Sequence, residues 1–174
     1  MQFNKHIFLT GFMGCGKTSN GSKLAKLLKV NFTDLDYYIE QQQKITISSL
    51  FENFGETAFR RIEQACLKEL IDTKKKSVIA LGGGTICFEN NLEIIKNAGL
   101  LVYIELPAIT LQQRLENSKI KRPLLKNLSG QELLNYIAIK LAQREPFYNA
   151  SHLKISGLNL TSQVLQQKIS EYNN

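Results

Sequence analysis

The segment GFMGCGKT, Gly11 to Thr18, fits the pattern G-x-x-x-x-G-K-[S/T] at every fixed position. It follows an apolar run, HIFLT, and opens a helix-like pattern, which is the context such a loop needs. Glycines let the backbone curl so that N–H groups point at phosphate oxygens, and a helix N-terminus adds a favourable field. Lys17 then reaches the outer phosphates, and the Thr18 hydroxyl can ligate Mg²⁺. A chance glycine-rich turn is the dull alternative, and the strand–loop–helix context argues against it. The motif points to a nucleoside triphosphate and leaves the phosphoryl acceptor open.

Two carboxylates follow closely in NFTDLDYYIE, at Asp34 and Asp36. With Phe32 to Leu35 read as a strand, both emerge on the same side of its end, because side chains alternate. Their mutual repulsion is offset by Mg²⁺, Lys17 and arginines. Asp34 suits a water of the metal shell, and Asp36 reaches a substrate hydroxyl. For Asp36 the structural alternative is capping of the next helix.

Three further segments carry cations or bare backbone. In FGETAFRRIE, Glu56 and Arg60 are i,i+4 partners on a helix. Arg60 and Arg61 stand about 100° apart on it, so one pocket cannot take both. A solvated charged helix is the bland reading. In ALGGGT, the run Gly82 to Gly84 strips side chains from backbone that a ligand can approach, or forms a plain flexible turn. KIKRPLL, Lys119 to Leu125, reads as a lid carrying Arg122 over the phosphates, or as a solvated loop. Arg144 precedes Pro146 near a helix end, where it can also complement the dipole.

The elements that must position these residues alternate along the chain. Strands are expected at His6–Thr10, Phe32–Leu35, Ser77–Leu81, Leu100–Leu106 and Leu153–Ser156. Helical patterns fill the intervals at Lys17–Leu28, Asp36–Gln43, Ile47–Phe54, Glu56–Thr73, Glu89–Ala98, Ala108–Glu116, Gly130–Tyr148 and Ser162–Tyr172. Such alternation predicts an α/β domain with a parallel sheet covered on both faces. At 174 residues the chain makes one domain.

The net charge of +7 and pI near 9.3 fit an enzyme whose substrates are all anions. They also invite a nucleic-acid reading, which basic stretches interleaved with aromatics would support; there are none. Lys74 to Lys76 end a helical pattern, where cations are favourable. Cys15, Cys66 and Cys87 show no metal-like spacing, and an odd, scattered set predicts a reducing, cytoplasmic compartment. The start MQFNKHIFLTGFMG reads as neither a signal peptide nor a membrane span.

As an ordered series from about Phe8 to Ala150, these segments resemble the shikimate kinase family. The series runs GFMGCGKT with GSKLA, DLD then IE, LFENFGETAFRRIE, ALGGGT, LQQRL, RPLL and REPFYNA. The resemblance implies a P-loop kinase over residues 1–174, with a five-stranded parallel sheet in the order 2-3-1-4-5 and a lid around 118–125. It implies transfer of the γ-phosphoryl of ATP to the 3-hydroxyl of shikimate, in the chorismate route to aromatic amino acids. Carried over by position, Gly14, Cys15, Gly16, Lys17, Thr18 and Ser19 hold the ATP phosphates. Thr18 holds Mg²⁺ with Asp34 assisting through water, and Arg114 flanks the adenine. Asp36, Arg60, Arg144 and the run Gly82, Gly83, Gly84 bind shikimate, the arginines taking its carboxylate. Lys17, Asp36 and the lid's Arg122 are the catalytic set. No nucleic-acid or membrane partner is implied, and the chain is expected to be a monomer.

Lys44 stands where the family usually has glycine, and a left-handed conformation there would cost a lysine about 1 kcal/mol. SGLNLTSQ lacks the basic residue often found near the adenine. Cys15, two residues before Lys17 at a helix entrance, is expected either to have a lowered pKa and be alkylated first, or to be a small residue filling space with its sulfur turned into the domain. A gluconate kinase or a nucleoside monophosphate kinase is the nearest rival. A polyol acceptor has no need of two arginines, and a nucleotide acceptor needs more of them. A nucleotide-dependent nucleic-acid-binding protein is the rival from another class.

Overall fold

The apolar run His6–Thr10 is buried along its whole length and forms the central strand β1. In a computed structural model, residues 5–73, 75–118, 125 and 128–172 are described. The other strands are β2 (Asn31–Asp34), β3 (Ser77–Ala80), β4 (Gly99–Glu105) and β5 (Leu153–Ser156). All neighbours pair parallel, in the order β2-β3-β1-β4-β5. That is the order implied by the family resemblance, and the continuous apolar runs follow from a sheet wet on neither face.

The helices are α1 (Lys17–Leu28), α2 (Leu35–Gln43), α3 (Ile47–Ile71), α4 (Asn91–Ala98), α5 (Ala108–Glu116), α6 (Gly130–Asn149) and α7 (Ser162–Tyr172). One face of the sheet, with Leu9 and Val102, packs on α1, α5 and α7 through Leu24, Leu111 and Leu165. The other, with Phe8 and Leu101, packs on α2, α3 and α4 through Ile39, Leu67 and Ile95. Helix α6 belongs to both layers: Leu133 and Ile137 enter the first core, and Tyr148 enters the second. It thereby carries Arg144 across to the strand ends.

Two boundaries change the expected site. Strand β2 stops at Asp34, one residue short of the expected end, and α2 begins at Leu35. Asp36 therefore lies in the first helical turn, and strand alternation does not set its direction. The expected cap is also corrected. It is Asp34 whose Oδ1 accepts from the N–H groups of Asp36 and Tyr37, at 3.1 and 3.4 Å. Capping needs an acceptor just before the first helical residue, and that position belongs to Asp34.

The two predicted helices around Gly55 run on as α3, with Gly55 non-helical at φ 77° between them. Lys44 keeps the left-handed turn after α2, at φ 60°, despite its side chain; its N–H reaches Glu40 O at 3.0 Å. Among the described residues, no helix is long and apolar enough to cross a membrane.

Candidate active site

The glycine loop after β1 turns on left-handed residues, Gly14 at φ 83° and Gly16 at φ 99°, and Gly16 caps α1. A side chain at either position would be strained; the pattern itself fixes Gly16 and Gly11, and Gly11 too has a positive φ, of 140°. Lys17 lies along the loop, its Nζ donating to Gly11 O at 2.7 Å and Phe12 O at 3.1 Å. Thr18 Oγ1 donates to Asp34 Oδ2 at 2.6 Å. Asp34 thus serves two elements at once, one oxygen capping α2 and the other joined to the loop. Ser19 Oγ turns back to Gly16 O at 3.2 Å. Arg114, from the last turn of α5, lies over the same loop, with Nη1 3.4 Å from Gly14 O and Nη2 3.4 Å from Gly157 O. It straps the glycine loop to the turn after β5.

Cys15 corrects an expectation. It is 1% exposed, and its sulfur lies so near Gly11 that an added Cβ there would come within 2.9 Å of it. A reagent in solution does not reach it. Its sulfur fills space inside the loop, 3.8 Å from Lys17 Nζ.

Beside the loop a cavity of about 140 Å³ brings together Asp36 from α2, Arg60 from α3 and Arg144 from α6. Its floor is Gly82 to Gly84, and Met13 of the glycine loop forms part of its wall. None of these three glycines has a positive φ, so conformation is not what requires them. Close approach is. A Cβ on Gly82 would lie 2.7 Å from Glu63 Oε1, and one on Gly84 would lie 2.6 Å from Arg60 Nη2. Arg61, on the far side of α3, lies instead in a separate groove with Ile45 and Phe54.

Each arginine rests on a phenylalanine ring, Arg60 over Phe59 at 5.1 Å and Arg144 over Phe12 at 5.5 Å. Arg60 donates to Glu63 at 2.7 Å and to the largely exposed Glu56 at 3.3 Å. Burial works against the Arg60 charge, but Glu63 and Glu56 outweigh it and hold the guanidinium above its ordinary pKa. Glu63 is fully buried and also accepts from Thr85 Oγ1 at 2.6 Å. Arg144 Nη1 donates to Gly83 O at 3.2 Å and is in no ion pair among the described residues.

Of the expected site residues, the loop, Asp34, Asp36, Arg60, Arg114, the three glycines and Arg144 gather at the C-terminal ends of the strands. Of the predicted lid, 118–125, residues 119–124 lie outside the described residues, and Arg122 with them. Two residues were not foreseen. Glu63 stands three residues after Arg60, a spacing that pairs charges on a helix as well as the i,i+4 one does. Tyr148 donates to Gly83 O at 2.6 Å; its presence in REPFYNA gave no hint of its target.

The family model for shikimate kinase matches residues 13–173. A shikimate kinase of Parabacteroides distasonis is 43% identical over 149 residues, 86% of each chain. The crystal structure of shikimate kinase from Bacteroides thetaiotaomicron superposes with a TM-score of 0.91 at 34% identity, covering 95% of this chain and 98% of that one. The enzyme of Acinetobacter baumannii, solved in complex with shikimate, gives a TM-score of 0.87 at 36% identity over 98% and 93% of the two chains. With both sequence and fold matched along nearly the whole length, this chain belongs to the shikimate kinase family.

Proposed function

We propose that this chain transfers the γ-phosphoryl group of ATP to the 3-hydroxyl of shikimate, yielding shikimate 3-phosphate and ADP. One observation carries the reading at the level of the site. Asp36, Arg60 and Arg144 meet in a single cavity whose wall includes Met13 of the glycine loop. Two guanidiniums and the Asp36 carboxylate, with Glu63 of the same lining paired to Arg60, suit a compact ring that bears a carboxylate at one end and hydroxyls at the other. Arginine forks bind a carboxylate through parallel N–H donors. Asp36 accepts from ring hydroxyls and orients or deprotonates the one that attacks.

The phosphates of ATP are assigned to the N–H groups of Gly14 to Ser19, with Lys17 on the outer ones and Arg114 beside the adenine. Mg²⁺ fits Thr18 and Asp34, because a hydroxyl and a carboxylate 2.6 Å apart form an oxygen-only donor set of the kind this ion takes. Bound there with ATP, the ion supplies charge neutralisation at the β- and γ-phosphates. Transfer of this type rests on positioning and electrostatics. Arg122, in the lid segment, is assigned to the transferring group. The three free cysteines are in keeping with a cytoplasmic protein. The chain is assigned as a monomer, which sedimentation would test.

Arg60→Ala and Arg144→Ala test the reading. Removing one member of a desolvated charge pair costs about 2–5 kcal/mol. The shikimate constant should rise on the order of 30-fold or more, with the ATP constant little changed. Unchanged shikimate constants in both variants would remove the carboxylate role.

A further inference from the structure

The carbonyl of Gly83 accepts two hydrogen bonds from α6, one from Arg144 Nη1 at 3.2 Å and a shorter one from Tyr148 Oη at 2.6 Å. Tyr148 is fully buried, and its ring stacks on Tyr103 of β4 with centroids 4.7 Å apart and planes 16° apart. The ring is thus held by the sheet, and its hydroxyl is aimed at the glycine floor of the cavity. Burial pushes the phenol pKa well up, against the pull of Arg144, so the hydroxyl remains a donor across the working range.

A trans peptide directs the N–H of Gly84 away from the carbonyl of Gly83. Fixing that carbonyl therefore fixes the Gly84 backbone, against which the Arg60 guanidinium packs, its Nη2 2.6 Å from where a Cβ would stand. The same carbonyl holds Arg144. Tyr148 consequently acts on both guanidiniums without touching the cavity, since neither it nor Tyr103 lines it. We propose that Tyr148 is a positioning residue for acceptor specificity: it sets the spacing of the Arg60–Arg144 fork by clamping the Gly83 carbonyl. The proposal rests on the reading that this fork takes the substrate carboxylate.

Tyr148→Phe keeps the ring and its stack and deletes only the hydroxyl. Losing one neutral hydrogen bond corresponds to about 3- to 10-fold. The expected result is a rise of that size in the KM for shikimate, with kcat and the KM for ATP within about 2-fold of wild type. The carboxylate-specific readout is the ratio of kcat/KM for shikimate to that for its carboxamide, which should fall by a similar factor. A purely structural role would lower Tm and shift both substrates' constants while leaving that ratio unchanged, and this pattern overturns the proposal. An unchanged shikimate KM overturns it as well. Tyr103→Leu, which removes the stacking ring without removing the hydroxyl, should move the ratio in the same direction by less. Arg144→Ala is measured alongside. If it raises the shikimate constant while Tyr148→Phe does not, only the clamp is wrong. If Arg144→Ala has no effect, the fork itself is wrong and the clamp falls with it.

Discussion

Glu63 Oε2 lies 2.7 Å from Arg60 Nη1, and Glu63 has no exposed surface. A buried carboxylate of this kind is stable only while its charge is answered, here by Arg60 and by the Thr85 hydroxyl. It holds Arg60 over the glycine floor, so the ion pair that supports the fold also positions a residue of the cavity.

Glu63→Gln should therefore cost both. Breaking a buried pair costs about 3–5 kcal/mol, and the remaining contact of Arg60 with Glu56 puts this case at the lower end. Tm should drop by about 6–12 °C in a chain of this size, with a raised shikimate constant. Thermal unfolding checks it; an unchanged Tm would mean that the pair contributes nothing.

Asp36→Asn should leave fold and ATP binding intact, because Asp34 supplies the helix cap. Loss of the charge that orients or deprotonates the hydroxyl should lower turnover by about 10²-fold or more. Circular dichroism and steady-state kinetics check the two halves. Near-normal turnover would reduce Asp36 to a bystander.

Cys87, half-buried, flanks a groove that contains Arg60 and Arg144, whereas Cys15 and Cys66 are buried. Burial pushes its thiol up, partly offset by the two arginines, so labelling should be slow at neutral pH and quicken as pH rises. Iodoacetamide should modify Cys87 first, and shikimate should slow it by occupying the arginines. Peptide mapping decides; Cys15 labelled first contradicts the burial described above.

Stability should fall on acidification through the histidines. Burial, then Lys76, lowers the His6 pKa, and burial, then Lys96 and Lys5, lowers that of His152. Leu101 N–H donates to His152 Nδ1 at 3.0 Å, which requires that nitrogen to be bare. With folded values depressed, the unfolded chain binds more protons below the ordinary value of about 6.5. The contribution is complete above that pH and is lost as pH falls towards the folded values. Tm measured between pH 7.5 and 5.5 should decline, and His6→Gln should flatten the slope. An identical slope in that variant excludes His6.

The sheet and its order were legible because five apolar runs alternate with helices and the ordered motifs resemble one family. The glycine loop was equally plain, since its fixed glycines answer a backbone need and its Lys17 and Thr18 a side-chain one. Asp36 does line the cavity, but not for the reason expected. Local alternation set its direction on paper, while in the fold the strand stops at Asp34 and the helix carries Asp36 inward. Cys15 misled because nearby positive charge is visible in sequence and burial is not. Glu63 was missed although its i,i+3 spacing from Arg60 was there to read, but its contact with Thr85, 22 residues on, and that of Tyr148 with Gly83, 65 residues away, were not. Only packing brings such groups together.

The central claim is the identity of the acceptor. ADP release should be measured with shikimate, quinate, gluconate and AMP side by side at saturating ATP and Mg²⁺. Efficient turnover with shikimate and little with the other three is the predicted result. Good activity with another acceptor and none with shikimate would contradict the account.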